Sequence, residues 1–282
     1  MMKSLFIPLG LLGSFALVGS LSAEETYTLY KADFKMPKGS SWTEKSQMQM
    51  KEMQMQMVAG GQQMEGKMSQ LVSEENKFTQ QELDKIKIDV ITKSSGGEVE
   101  IAGQKMPSPV TDGALKGKEL LATPAEGGWQ VNLIAGEANA VEAAELETLS
   151  HVLNDVSAEK IYGAEKRKIG DSWKVKATAF PGFENVDNAK GEMTVTFIGV
   201  GERDGQQAAE LEMTFDMSGE LEDMGQMMAM KGTAKMFRSL DYFKDLSIEM
   251  NMKMTIEGEM PGGSMLMTGD ATYGKTISIT LP

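Results

Sequence analysis

Ile248-Glu-Met250-Asn-Met252-Lys-Met254-Thr-Ile256 is the stretch that decides the fold, because an apolar residue stands at every second position. A period of two places all the apolar side chains on one face of an extended strand and the polar ones on the other. The same alternation occurs near the start of the chain, in Met48, Met50, Met53, Met55 and Met57. Both stretches predict antiparallel sheet with a wet face and a dry face, the dry face lined by methionine.

Residues 44–57 leave a choice between helix and strand. Met, Gln, Glu and Lys all favour helix, yet at 100° per residue the five methionines of this segment scatter around the helix. At 180° per residue they share one face, provided that a bulge at Lys51-Glu52 absorbs a change of phase. We therefore predict a bulged strand.

Other segments extend the strand prediction over most of the chain. They alternate in the same way, or are rich in strand-forming residues, at 86–90, 129–133, 193–197, 211–217, 231–238, 265–267 and 277–281. Asp204-Gly205 predicts a hairpin turn, and Gly274 is expected to link the last two segments. One helix is predicted near 137–157, from the spacing of Leu146, Leu149, Leu153 and Val156. The predicted fold class is mainly β (α+β), with one or more curved antiparallel sheets.

The helix divides the chain into two strand-rich parts. We predict a signal peptide at 1–23, an N-terminal β half at 24–136, a helical linker at 137–160 and a C-terminal β half at 161–282. Gly39-Ser-Ser41-Trp42 and Gly170-Asp-Ser172-Trp173 are similar tetrapeptides that each precede a long run of strands. The two halves are therefore a candidate repeat.

The start of the chain predicts export. Lys3 is followed by an apolar run at 5–21 and then by Ser22 and Ala23, which is the order of a signal peptide with cleavage after Ala23. An uncleaved membrane anchor is the alternative. With cleavage, the protein is expected to be soluble and periplasmic or extracellular. Its formal net charge of −13 disfavours nucleic acid as a partner.

The residues that usually carry chemistry are scarce. The chain has no cysteine and one histidine, His151, and no phosphate loop, dinucleotide motif or zinc spacing. We therefore expect no enzyme, no cofactor and no metal site of the usual ligands. Copper bound by methionine is a lesser alternative, since thioethers are soft ligands. Same-face residues along one strand are about 6.8 Å apart, however, which hinders convergence on one ion.

The methionine alternation suggests what the protein binds. Because methionine is unbranched and flexible, it adapts to irregular apolar shapes. We predict an exported, non-enzymatic envelope protein that binds a lipid or acyl chain on a concave sheet face lined by Met48, Met50, Met53, Met55, Met57, Met250, Met252 and Met254. The alternative is a structural or protein-interaction module of the envelope without a small ligand.

The layout of motifs resembles two groups of proteins. Gly117-Lys118, Gly128-Trp129, the central helix and the Gly-Asp-Ser-Trp of 170–173 are similar to uncharacterised secreted bacterial proteins that are rich in β structure. More remotely, the organisation resembles periplasmic lipoprotein carriers of the LolA and LppX type. That resemblance implies a curved antiparallel sheet around an apolar cavity covered by helices, and it assigns no role to any residue.

Overall fold

A computed structural model of the protein describes residues 25–32, 34–126, 128–154, 157–180, 183, 186–221, 225–260 and 263–282. The predicted signal peptide at 1–23 lies outside the described residues, and so does Val156 of the predicted helix.

The structure is built mainly from long strands. In chain order the strands are β1 (Tyr27–Thr28), β2 (Ser41–Ala59), β3 (Gln62–Glu82), β4 (Lys85–Ile101), β5 (Gln104–Asp112), β6 (Glu119–Ala125), β7 (Gly128–Leu133), β8 (Lys166–Arg167), β9 (Ser172–Lys176), β10 (Asp187–Arg203), β11 (Gln206–Leu221), β12 (Gln226–Ser239), β13 (Asp245–Met260) and β14 (Gly263–Thr280). The helices are α1 (Ala140–Leu153) and α2 (Ser157–Tyr162). The mainly β prediction is confirmed.

A single 12-stranded antiparallel sheet holds nearly all of the strands. Its order is β7-β6-β4-β3-β2-β14-β13-β12-β11-β10-β9, with β5 paired to β4, while β1 and β8 pair separately. The last strand of the chain, β14, pairs with β2 and thereby joins an N-terminal meander to a C-terminal one. Along the sheet from β7 to β9, the strand numbers decrease within each meander, first from β7 to β2 and then from β14 to β9. That the two halves are a repeat, with boundaries at 24–136 and 161–282, stays a prediction.

The bulge predicted in β2 is present. Met50 pairs with Gln70 of β3 and Met53 pairs with Met68, so the register shifts across Lys51-Glu52. Glu52 has a positive φ of 47° at this point, as an inserted residue in a bulge often needs. The extra residue restores the phase, and the methionines before and after it face the same way.

The expectation that Gly274 links two separate strand segments is wrong. β14 continues without interruption through this residue, which pairs with Gln47 of β2 and with Glu249 of β13. Glycine permits a turn but does not require one. Ladder hydrogen bonds to a strand on each side hold Gly274 extended, because a turn here would leave those backbone groups unpaired.

Helix α1 covers one edge of the sheet. It begins after Asn139, whose side chain accepts hydrogen bonds from the N–H groups of Val141 and Glu142, while Glu142 bonds back to the Asn139 N–H. Leu146 and Leu149 are buried in an apolar cluster with residues of β6 and β7. The helix therefore closes the β7 side of the core.

Both apolar clusters of the core lie on the same face of the large sheet. Directly paired residues of antiparallel strands project to the same side. Trp42 of the smaller cluster pairs with Ile279 of β14. Every second residue of a strand faces the same side, and steps of two residues from Ile279 reach Ala271 of the larger cluster. The opposite face carries mostly charged and amide side chains, such as Lys45, Gln47 and Gln54 of β2. We call these sides the apolar face and the polar face.

Candidate functional site

The two methionine stretches from the termini of the chain meet on the apolar face. Met250 pairs with Tyr273, which in turn pairs with Met48 on the next strand. In the same way Ala271 stands between Met252 and Met50. The structure therefore brings the predicted site residues of β2 and β13 together on one side of the sheet, separated only by β14.

Most of these predicted site residues are packed into the core. Met53 is fully buried, with 0% of its surface exposed, and Met55, Met57, Met250, Met252 and Met254 are buried as well. Met48 and Met50 are half-buried. The larger apolar cluster includes Met53, Met250, Met252 and Met254. Their role as ligand-binding residues stays a prediction.

Four further methionines on the apolar face are half-buried and lie close to the hairpin ends. They are Met64, Met228, Met265 and Met267, which we call the rim methionines. Met57 stands between Met64 of β3 and Met265 of β14, and Met55 pairs with Met267. Met267 also pairs with Ile256, and Ile256 pairs with Met228. The rim methionines thus continue the row of buried ones outward to solvent.

Sequence reasoning assigned no binding role to the rim methionines. Met64 and Met68 alternate with Gly66 rather than with a third apolar side chain, so the period of two is weakened there. Gly66 faces the apolar side, because it pairs with Met55, and a Cβ built on it would lie 3.0 Å from the Met55 Cε atom. Reading glycine as a member of an apolar row would have revealed this part of the site.

Helix α2, one of the segments that cover the apolar face, contacts it far from the rim. The hydroxyl oxygen of Tyr162 in α2 lies 2.7 Å from the Met236 sulfur, and the Phe180 ring packs on Phe215 with 5.6 Å between centroids. Met236 is eight residues from Met228 along β12, which corresponds to about 27 Å of extended strand. The α2 contact therefore lies near the opposite end of β12.

Cross-strand pairing brings methionines closer together than the spacing within one strand allows, which favours the copper alternative. Met217, Met230 and Met254 are directly paired neighbours in three adjacent strands. Directly opposed residues have Cβ atoms about 4.5–5.5 Å apart, which is closer than same-face residues within one strand. All three side chains are buried. Within the described residues, no group of three or more His, Cys, Asp or Glu side chains is placed to hold a metal ion.

A buried charged network anchors the covering segments. The Arg238 side chain is 2% exposed in the salt bridge, and its Nη1 atom bonds Asp245 Oδ1 at 2.5 Å. Arg238 Nε donates to the Leu29 carbonyl oxygen at 2.6 Å, and the Tyr162 hydroxyl donates to Asp245 Oδ1 at 2.9 Å. Burial raises the pKa of Tyr162 well above its ordinary value. The network therefore ties the N-terminal segment and α2 to β12 and β13.

A second polar group stands beside the smaller apolar cluster. Glu44 Oε2 is 2.7 Å from Lys275 Nζ, and its other oxygen accepts a hydrogen bond from Trp42 Nε1 at 3.1 Å. Lys244 lies over the Trp42 ring, 4.3 Å from its centroid. Burial alone would raise the pKa of Glu44, but the ammonium groups of Lys275 and Lys244 lower it below its ordinary value. Glu44 is therefore held as a carboxylate.

Two depressions are lined mainly by residues of the polar face. One of about 790 Å³ is lined by residues that include Gln49, Lys51, Leu71 and Asp270, and a smaller one of about 400 Å³ includes Lys45 and Arg203. Met50 borders the larger depression. The buried methionines of the apolar face line neither of these depressions.

Among the described helices, none is long and apolar enough to cross a membrane.

Comparison with solved structures yields a remote structural likeness. No family model matches the chain, and no curated protein matches it. A solved chain described as "lipid-protein interactions in lipovitellin" matches with 8% sequence identity and a TM-score of 0.41. The match covers 87% of this chain and 26% of that chain, so this chain spans about a quarter of its length. A likeness of this size carries no argument about function.

Proposed function

We propose that this is an exported, non-enzymatic protein of the cell envelope that binds an apolar ligand, a lipid or an acyl chain, on its methionine-lined face. The observation that carries the proposal is the cross-strand row in which Met57 lies between Met64 and Met265. Half-buried and buried thioethers are direct neighbours in this row. An apolar ligand at the rim would therefore meet a continuous path of apolar side chains leading inward.

The proposal is supported by the flexibility of the methionine side chains and not by a preformed cavity. Met53, Met252 and Met254 are buried in one apolar cluster, so an acyl chain that reaches them has to enter by displacing side chains. Methionine has three rotatable side-chain bonds and a polarisable sulfur, and it fills irregular spaces at low cost. Leucine or valine in the same row would resist such a displacement more strongly.

The first test is native mass spectrometry of the full chain after expression with its own leader and gentle purification, followed by denaturation and analysis of what is released. A mass excess that resolves into lipid supports the proposal. A bare polypeptide mass favours the structural or interaction module. An excess of one copper atom per site would favour the thioether metal site, for which Met217, Met230 and Met254 are the residues to change.

Variants of half-buried residues then locate the ligand without emptying the core. Met265→Gln and Met267→Gln place an amide on the apolar face at positions that already contact water. We expect each variant to bind the lipid identified in the first test about tenfold more weakly. Burying an amide under the ligand without a hydrogen-bond partner is unfavourable. The matched control is Met227→Gln, since Met227 is 46% exposed and its neighbours in the ladder, Glu220 and Glu257, belong to the polar face. Equal effects of all three variants would contradict a site on the apolar face.

A further inference from the structure

The thioethers of this chain differ widely in their access to solvent. The chain has 25 methionines and no cysteine, so thioethers are the only side-chain sulfur that an oxidant meets. Met106 on the apolar side of β5 is 48% exposed, and Met227 on the polar face is 46% exposed. The rim methionines are half-buried, whereas Met53 has no exposed surface. Because oxidation of methionine requires that the oxidant reach the sulfur, these differences impose an order of reaction.

Oxidation of the rim methionines would change the apolar face, because these residues lie next to its buried side chains. Met64 and Met265 flank Met57, and Met267 pairs with both Met55 and Ile256. A sulfoxide is polar, and burying its oxygen among apolar neighbours without a hydrogen-bond partner is unfavourable by about 1–3 kcal/mol in proteins. An oxidised rim side chain would therefore turn outward and break the path of apolar side chains between solvent and the buried row.

We propose that the rim methionines are modification sites for two-electron oxidants, and that their oxidation switches off the binding of an apolar ligand by this sheet. The second part rests on the proposed function. With a peroxide, the sulfur gives up two electrons and takes one oxygen atom, the O–O bond breaks, and water leaves. With hypochlorous acid the same oxygen transfer releases chloride and a proton. A methionine sulfoxide reductase restores the thioether: two thiols are oxidised to a disulfide, and the sulfoxide oxygen leaves as water.

Met106 and Met227 make the proposal specific. Both are more exposed than the rim methionines, and both should be oxidised at least as fast. Met227, however, pairs with Glu257 on the polar face, where a sulfoxide remains in water. The proposal thus predicts that loss of binding follows oxidation of the rim methionines and not oxidation of Met227.

The experiment treats the full exported chain with graded hydrogen peroxide and maps the sulfoxides by peptide mass spectrometry. Binding of a dansylated undecanoic acid is measured by fluorescence on the same samples. We expect Met106, Met227 and the rim methionines to be oxidised before Met53 and Met254. We also expect probe affinity to fall at least tenfold as the rim reacts, and to return after treatment with a sulfoxide reductase.

Two leucine variants separate the switch from general damage. In the variant with Met64, Met228, Met265 and Met267 all changed to leucine, the affinity relative to its own untreated value should no longer respond to peroxide. Met265→Leu alone, which changes one half-buried position, should respond less than the wild type and serves if the fourfold variant does not fold. Met227→Leu, on the polar face, should respond as the wild type does.

Each outcome decides one of the two ideas. An oxidised rim with unchanged probe affinity, or a leucine variant that remains as sensitive as the wild type, overturns the switch and leaves apolar binding in place. Oxidation of Met53 before the rim overturns the selectivity. Failure of the untreated protein to bind any apolar probe or retain lipid overturns the proposed function, and the peptide map alone then decides whether the rim is a selective oxidation site.

Discussion

The side chain of Asn154 hydrogen-bonds both backbone groups of Trp129, taking the place of a neighbouring strand at the β7 edge of the sheet. Its Oδ1 atom accepts from the Trp129 N–H at 2.5 Å, and its Nδ2 atom donates to the Trp129 carbonyl at 2.8 Å. Ser150, one turn earlier in α1, accepts from the Val131 N–H at 3.0 Å. Sheet edges with free backbone groups invite pairing with other chains, and here a helix occupies them.

Replacing Asn154 by alanine should therefore both destabilise the protein and expose an edge. Loss of two hydrogen bonds predicts a decrease of about 1–3 kcal/mol in the free energy of unfolding, measured by urea denaturation. We also expect concentration-dependent self-association in sedimentation experiments. Glu147→Ala, on the exposed side of the same helix, is the control and should change neither quantity. A monomeric and fully stable Asn154→Ala protein would show that the helix does not protect the edge.

Gly232 tests how tightly the apolar face packs at the centre of the C-terminal meander. A Cβ atom built on it would lie 2.2 Å from the Asn251 carbonyl oxygen and 2.8 Å from the Phe215 ring. Gly232→Ala should lower the free energy of unfolding by about 1–3 kcal/mol, because a backbone oxygen has little freedom to move away. At Gly274, also inside a long strand, nothing lies within 4 Å of the added atom. Gly274→Ala should be neutral or stabilising by up to about 1 kcal/mol, and equal effects at the two sites would refute the packing argument.

Glu44 predicts a specific dependence of stability on pH. Its pKa in the folded protein is lowered, so its contribution to stability is fully present above its unfolded value, 4.5, and is lost as the pH falls through the folded value. Glu44→Gln should cost about 2 kcal/mol at pH 7, and the difference from the wild type should shrink as the pH is lowered below 4.5.

Urea denaturation between pH 3 and pH 7 checks this dependence. The control is Glu75→Gln, which removes an ion pair with a largely exposed lysine, Lys45, and should cost less than about 0.5 kcal/mol throughout. A Glu44→Gln difference that stays constant over this pH range would mean that the carboxylate is not stabilised by its neighbours.

Met53 tests whether the buried methionines are close-packed. Met53→Ala should lower the free energy of unfolding by about 2–5 kcal/mol, because the side chain is fully buried and its removal leaves a cavity. Met53→Leu should cost less than about 1.5 kcal/mol. Met227→Ala, on the polar face, should cost less than about 0.5 kcal/mol. A small effect of Met53→Ala would indicate that the methionine layer collapses around the gap, as a layer that admits ligands is able to do.

The candidate site was only partly predictable from the sequence. The methionines of 48–57 and 250–254 were expected on one face, and the structure places them there. The rim methionines were not assigned to the site, because their importance comes from neighbours on other strands. Met64 and Met265 are 201 residues apart in the chain, and their common pairing with Met57 brings them together. Single-strand periodicity contains no information about that partner.

The sequence by itself determined the clearly alternating strands, such as β2, β11 and β13, the bulge in β2 and the division into an apolar and a polar face. These features follow from alternation, which is a local property of extended backbone. Only the tertiary structure decided that β14 runs straight through Gly274 and joins the two meanders, that α1 occupies the β7 edge, and that exposed and buried thioethers form one row. Those outcomes depend on which distant segments exchange hydrogen bonds, and that choice is made by packing of the whole sheet.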